Sequence, residues 1–196
     1  MERKKIFILL ILFLIILIPI VYFGFLEESI FYNTIKEVSD IENKSDAESD
    51  VLRSQYNPSL SDIKEDTLRS IDVTSEEILM LQDLKSKVFS EPYVEFIDIQ
   101  INRLNSENRT YTAMVESSNV YQQYRDGEMG NSQAVSLIED KNSEIDLYSN
   151  KTSEYKVEAD SFLSVHTDMK EKFNELGIDE DFLFNQIEEV KAEYVS

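Results

Sequence analysis

The chain has no cysteine, one histidine, four glycines and three prolines among 196 residues, and each shortage excludes something. Without a thiol there is no disulfide framework, no thiolate metal site and no lipid-modified cysteine to serve as an anchor. A lone imidazole, His166, cannot build the usual zinc site, and a Ser-His-Asp triad would need serine and carboxylate partners gathered by a pocket. No phosphate-cradling glycine loop, dinucleotide fingerprint or EF-hand spacing occurs. Two S-x-x-K matches, Ser61 to Lys64 and Ser153 to Lys156, lack the companion motifs of the penicillin-binding class and are expected by chance in a serine-rich chain. Carboxylate groups such as Glu188 with Glu189, or Asp179, Glu180 and Asp181, read as solvated faces and helix-start charges. The expectation is a protein that is not an enzyme, with no catalytic, cofactor-binding or metal-binding residue and no cofactor.

Positive charge is also scarce, with 19 Lys and Arg against 39 Asp and Glu. Residues 27–196 hold 16 basic and 38 acidic residues, a formal charge of −22. Such a body repels nucleic acid and anionic headgroups, so phosphate-driven binding is disfavoured. It leaves cationic partners or divalent ions as options, or an acidic surface that simply keeps the body soluble.

What the sequence does have is one long apolar run. Ile6 to Leu26 holds 21 residues, 18 of them Leu, Ile, Val or Phe and none charged. At about 1.5 Å per residue it matches a hydrocarbon core of roughly 30 Å. Arg3, Lys4 and Lys5 precede it, whereas Glu27, Glu28, Glu37 and Asp40 follow with only Lys36 among them, which places the N-terminus inside. A cleaved signal peptide is the rival reading, but the run is longer than such segments and no small-x-small site follows. The expected organisation is a cytoplasmic tail over residues 1–5, a transmembrane signal anchor over 6–26, a membrane-proximal helix and polar stalk over 27–57, and an extracytoplasmic helical bundle over 58–196. The expected location is the cell membrane, with the C-terminal body outside the cytoplasm.

Few turn residues and long 3-4 spaced apolar patterns predict an all-α fold: one N-terminal transmembrane helix and an elongated antiparallel bundle of three to four helices with coiled-coil-like packing. Phe31, Thr34, Val38 and Ile41 continue the spacing beyond the apolar run, and the pattern fades from Glu42 to Gln55, a solvated stalk or weakly packed helix. Asn57 and Pro58 are read as cap and first position of a short helix ending near Ile71. Thr74 and Glu77 then read as a capping box, with Val73 and Ile78 as a staple, and start a second helix carrying Ile78, Leu81, Leu84 and Val88. A kink or break is expected at 89–92, with Ser90 as cap and Phe89 stapled onto Val94, because Pro92 coincides with a change of phase. The next seam runs through Val94, Ile97, Ile101, Leu104, Asn108, Tyr111, Val115 and Ser118. RDGEMGN, 125–131, is the expected hairpin tip, with Asn131 or Ser132 capping the next helix.

The longest pattern runs from Ala134 by alternating fours and threes to Leu176, and predicts one helix. Lys141, Thr152 and His166 are its polar positions and are expected to set register; a pH-sensing role for His166 is a minor reading. Gly177 ends this helix, and Asp179 caps a last one with Ile178 and Leu183 as staple and Ile187, Val190 and Tyr194 in its stripe.

Three N-x-S/T sequons, at Asn43, Asn108 and Asn150, are possible N-glycosylation sites if the body reaches a compartment with the transferase. Asn43 is the best placed, whereas Asn108 falls on a seam. The layout of one span and an outer helical body is similar to that of LemA-like proteins and chemoreceptor sensor domains, a likeness of architecture that no motif extends to a family and that carries no function. The expected function is a membrane-anchored, non-enzymatic bundle acting as a spacer or docking surface for an envelope or membrane protein partner. The alternative is a sensory or ligand-binding ectodomain, which with five residues ahead of its span would need a separate membrane partner. A homo-oligomer is possible along the exposed part of the long seam.

Overall fold

The computed structural model describes residues 2–54 and 58–178, with side chains from residue 23 onward except that of Arg53. Within them there are five helices and no strand: α1 (Glu2–Arg53), α2 (Leu60–Lys85), α3 (Glu91–Arg125), α4 (Asn131–Val165) and α5 (Thr167–Glu175). The expected last helix falls outside the described residues apart from Ile178. The all-α bundle expected from the 3-4 spacing is present. Among the described residues no helix is long and apolar enough to cross a membrane. Of the run Ile6 to Leu26, only the side chains of Phe23, Phe25 and Leu26 belong to that set.

Side-chain pairs fix the helix directions. Glu48 on α1 meets Arg69 on α2, Asn108 on α3 meets Thr74 on α2, and Lys141 on α4 meets Glu116 on α3. With Glu27 against Phe89, Lys85 against Asp98 and Phe96 against Phe162 at the other end, each of the pairs α1–α2, α2–α3 and α3–α4 is antiparallel, and α3 lies between α2 and α4. The apolar core gathers at one end, which we call the base. There Phe31, Tyr32, Ile35 and Val38 of α1 meet Leu81 and Leu84 of α2, Val88 of the α2–α3 connection, Phe96, Ile97, Ile99 and Leu104 of α3, Phe162 of α4 and Phe173 of α5. Phe31 stacks on Tyr93 at 4.1 Å between ring centroids, and Phe173 packs within 5.2 Å of Phe96. Each such side chain stabilises the fold by roughly 1.5–3 kcal/mol when fully buried. In the other half the buried positions are mostly small or polar, including Ser49, Thr67, Thr110, Ala113, Ser118, Ala134 and Ser149. Packing there contributes less.

Several helix boundaries differ from those read in the sequence. α2 starts after Ser59, whose Oγ accepts from the Asp62 amide at 3.2 Å while Asp62 Oδ2 accepts from the Ser59 amide at 3.0 Å. Pro58 thus precedes the cap instead of following it, and Asn57 lies outside the described residues. α2 then runs unbroken through Thr74, so the Thr74–Glu77 capping box does not form. The Thr74 hydroxyl instead donates to the Ser70 carbonyl, as an interior helical threonine does. No breaker stands between Ile71 and Thr74, and one helix keeps Thr67, Thr74, Glu77, Leu81 and Leu84 on a single buried stripe. Of the two readings of residues 42–55, a solvated stalk or a weakly packed helix, the stretch from Glu42 to Arg53 is helix, with Ser49 buried against α2 and bonded to Asp66 at 3.0 Å.

A break is present between α2 and α3, at 86–90 and so slightly earlier than the expected 89–92, with Pro92 inside the first turn of α3. Ser90 holds the cap position without a side-chain cap bond, and Phe89 is exposed, so the expected staple is absent. At the hairpin tip Gly127 takes φ +79°, and Gly130 fills the cap of α4 in place of Asn131 or Ser132.

The expected long helix is two. His166 leaves the helical region (φ −98°, ψ 66°) and separates α4 from α5. A strict 3.5-residue seam drifts by roughly 20° per heptad on a straight helix, so over six heptads it would walk off its neighbours. The break resets it and returns Met169 and Phe173 to the aromatic base. All 13 seam positions from Ala134 to Leu176 are buried or half-buried. Gly177 (φ +66°) ends α5 as expected: its amide donates to Asn174 and that of Ile178 to Phe173, a Schellman closure in which both Phe173 and Ile178 join the core.

Candidate functional site

At the upper edge of the apolar core, charged side chains from four helices turn inward: Glu42 from α1, Glu77 from α2, Arg103 and Glu107 from α3 and Lys156 from α4. Gln100, Arg103 and Glu107 stand at i, i+3 and i+7 and so share one face of α3. The Arg103 guanidinium is fully buried. Its Nη1 and Nη2 donate to Glu42 Oε1 and Oε2 at 3.0 Å each, Nη1 also to Glu107 Oε1 at 2.9 Å, and Nε to Gln100 Oε1 at 2.9 Å. Burial works against the charge, but Glu107 and Glu42 outweigh it and hold the guanidinium's pKa above its ordinary value.

Glu77 sits in the same interior with 1% of its surface exposed. Neither carboxyl oxygen has a hydrogen-bond partner, and the Gln100 Nε2 also lacks one. Burial, reinforced by the charge of Glu42, pushes the Glu77 carboxyl up to about 9, so at neutral pH it carries its proton. Glu42 is pushed upward by burial against the pull of Arg103. Lys156 is pushed downward by burial, with Glu107 opposing. The cluster therefore ties α1 to α3 through a two-pronged ion pair, brings Glu77 of α2 and Lys156 of α4 into the same interior, and holds a proton at an unpartnered carboxyl.

A second arrangement lies at the base. Glu27, in the first turn after the apolar run, accepts through Oε1 from the backbone amides of Phe89 and Ser90 at 2.6 and 2.5 Å. It ties the connection just ahead of α3 to α1, while the first turn of α3 has no side-chain cap. An open cleft of about 290 Å³ adjoins it, lined by Tyr32, Ser90, Pro92, Val165 and His166 among others. A larger groove, about 590 Å³, lies between α1 and α2 and is acidic, with Glu48, Asp62, Glu65, Asp66 and Asp72 around Arg69.

The residues singled out in the sequence do not converge. Thr152 is buried on the seam, its hydroxyl bonded to the Tyr148 carbonyl. Lys141, half-buried on the seam, pairs with Glu116 of α3 at 2.7 Å and with Glu144 of its own helix, which raise its pKa. His166 is the junction between α4 and α5, half-buried, its ring stacked on Phe162 at 4.1 Å. Asn43 and Asn150 are exposed on helices. Asn108 donates through Nδ2 to the Ile71 carbonyl, Thr74 Oγ1 and Ser75 Oγ at 2.8–3.1 Å. Among the described residues no group of three or more His, Asp or Glu side chains is gathered as a metal site.

The seam reading passed over Glu77 and Arg103, since it followed apolar residues only. Two signals mark them. Glu77 continues the Leu81, Leu84, Val88 spacing backward, and Arg103 lies between Gln100 and Glu107 on a helix whose other faces are also buried. No protein-family model, curated protein or solved structure matches this chain.

Proposed function

We propose that this chain is a membrane-anchored protein held by Ile6 to Leu26, with its bundle outside the cytoplasm acting without catalysis as a spacer or docking surface for an envelope or membrane protein partner. The observation that supports this reading is the continuity of α1 from Glu2 to Arg53. The apolar run and Phe31, Tyr32, Ile35 and Val38 belong to one helix, so the bundle is built directly on its post. A body mounted this way has a fixed reach from the membrane, which suits a spacer. Its acidic surface favours partners with basic faces.

The test uses membranes from cells producing the full chain with an N-terminal tag. The protein should resist alkaline carbonate extraction, protease added outside intact cells should remove the body while sparing the tag, and cross-linking should recover a defined protein partner. Extraction by carbonate removes the anchor from the proposal, and turnover of a substrate by the purified chain removes the non-enzymatic role.

One observation favours a second reading, an ectodomain that changes state while working with a separate membrane partner. An unpartnered buried carboxyl among paired charges is a bistable element, since loss of its proton leaves a charge that the packed bundle cannot solvate.

A further inference from the structure

Four apolar side chains stand exposed around the point where the apolar run of α1 ends. Phe23 and Phe25 on α1 are 68% and 69% exposed, Phe89 in the α2–α3 connection 84%, and Val165 at the α4–α5 break 77%. They come from three separate places in the sequence, and the contacts bring them to the same end of the bundle. Glu27 binds the amides of Phe89 and Ser90, and it lies four residues, about one 5.4 Å turn, from Phe23. Ser90, Pro92, Val165 and His166 line one cleft with Tyr32, which carries the α4–α5 break to the same end.

We propose that Phe89 and Val165, together with Phe23 and Phe25, form a collar that enters the headgroup–acyl boundary of the bilayer crossed by α1. This rests on reading Ile6 to Leu26 as a membrane span. The occupant is lipid because the patch continues the surface of the span itself. The connection is also prepared for a less polar medium: Glu27 satisfies the amides of Phe89 and Ser90, just ahead of α3, which unpaired would carry a desolvation cost there. Acidic groups near the collar, Glu28, Glu91 and Asp168, disfavour anionic headgroups, so apolar insertion drives the contact. A single span leaves a body free to tilt, whereas contacts on two further connections of the bundle hold it upright.

The chain contains no tryptophan, so one introduced indole reports on one position. Four variants of the full chain, Phe23→Trp, Phe89→Trp, Val165→Trp and the distant control Tyr121→Trp, are placed in nanodiscs of phosphatidylcholine with or without bromine on the acyl chains. Emission at 23, 89 and 165 should fall at least about twofold in the brominated discs, the response of side chains seated at the acyl boundary, and stay unchanged at 121. If position 23 is quenched while 89 and 165 behave like 121, the span stands and the collar is wrong. If 23 is not quenched, the span reading fails and takes the collar with it. Blue-shifted but unquenched emission at 89 assigns the patch to a second copy of the protein and also overturns the proposal.

Discussion

Arg103 on α3 and Glu42 on α1, 61 residues apart, meet in a two-pronged pair with both N–O distances at 3.0 Å. Arg103 also serves Glu107 and Gln100, so its removal strands two carboxylates and an amide in a poorly solvated interior. Arg103→Ala is expected to destabilise the full chain by about 3–5 kcal/mol, the range for breaking a buried pair from one side. Replacing Arg103, Glu42 and Glu107 together by methionine should recover most of that loss, because no unpaired charge remains. Chemical denaturation followed by circular dichroism measures both. A small loss in the single variant would mean that the pair is solvated and holds nothing.

Glu77 gives the fold a dependence on pH with a definite sign. Its folded pKa of about 9 lies above the ordinary value of 4.5, so between the two the folded state binds a proton that the unfolded state has released. The contribution is fully present below about 4.5 and is lost as pH rises toward 9, by about 1.4 kcal/mol per pH unit at most. Glu42, Asp46, Arg103, Glu107 and Lys156 face the same interior, so the reading is the difference between wild type and Glu77→Gln. The variant should melt near the wild type at pH 5 and above it at pH 8. Parallel melting curves across that range would show that Glu77 is ionised in the fold.

The apolar periodicity made the helices legible, since spacing by threes and fours is a property of the chain that packing only has to ratify. The break before Pro92 and the closing Gly177 were legible for the same local reason: a missing amide and a positive φ are demands of single residues. The cluster around Arg103 was not. Glu77, Gln100, Arg103 and Glu107 look like surface residues until α1 and α4 pack over them, and the Arg103–Glu42 contact that holds α1 there spans 61 residues of sequence. The His166 break was hidden too, because a seam reads the same on a straight helix as on two segments reset against a common core.

Local signals also misled where two competed. Ser59 with Asp62 and Thr74 with Glu77 both resemble capping boxes, and only the first caps a helix. Ser59→Ala should cost about 1 kcal/mol and raise amide exchange over the first turn of α2, the usual effect of losing a cap. The Ser59 hydrogen bonds also hold the Asp62 carboxyl below the usual carboxylate range, so this contribution is present at neutral pH and fades as pH falls through the lowered pKa. In Ser59→Ala the Asp62 resonance should titrate at a higher pH. An unchanged titration would place the cap elsewhere.

The large apolar side chains sit at the base and small or polar ones above Arg103, so the two halves should differ in local stability. Amides of residues 31–38, 96–104 and 159–163 are expected to exchange at least about tenfold more slowly than those of 61–70 and 132–145. Uniform protection along the bundle would mean that the polar half is held as firmly as the aromatic one.

Asn108 is a sequon residue whose amide nitrogen already donates to three acceptors on α2. Replacing it by alanine removes those bonds and leaves the Thr74 hydroxyl, itself buried, with only its own helix to bond. The expected loss is about 1–3 kcal/mol. Asn43→Ala and Asn150→Ala, at exposed positions, should each stay within about 0.5 kcal/mol of wild type. A glycan would occupy the same nitrogen and leave it a single hydrogen, so molecules modified at Asn108 cannot close α2 against α3. Secretory expression should therefore yield folded protein with sugar at Asn43 or Asn150 only, and peptide mapping of the protease-resistant fraction reads this directly. Recovery of folded protein glycosylated at Asn108 would show that α2 and α3 pack without this contact.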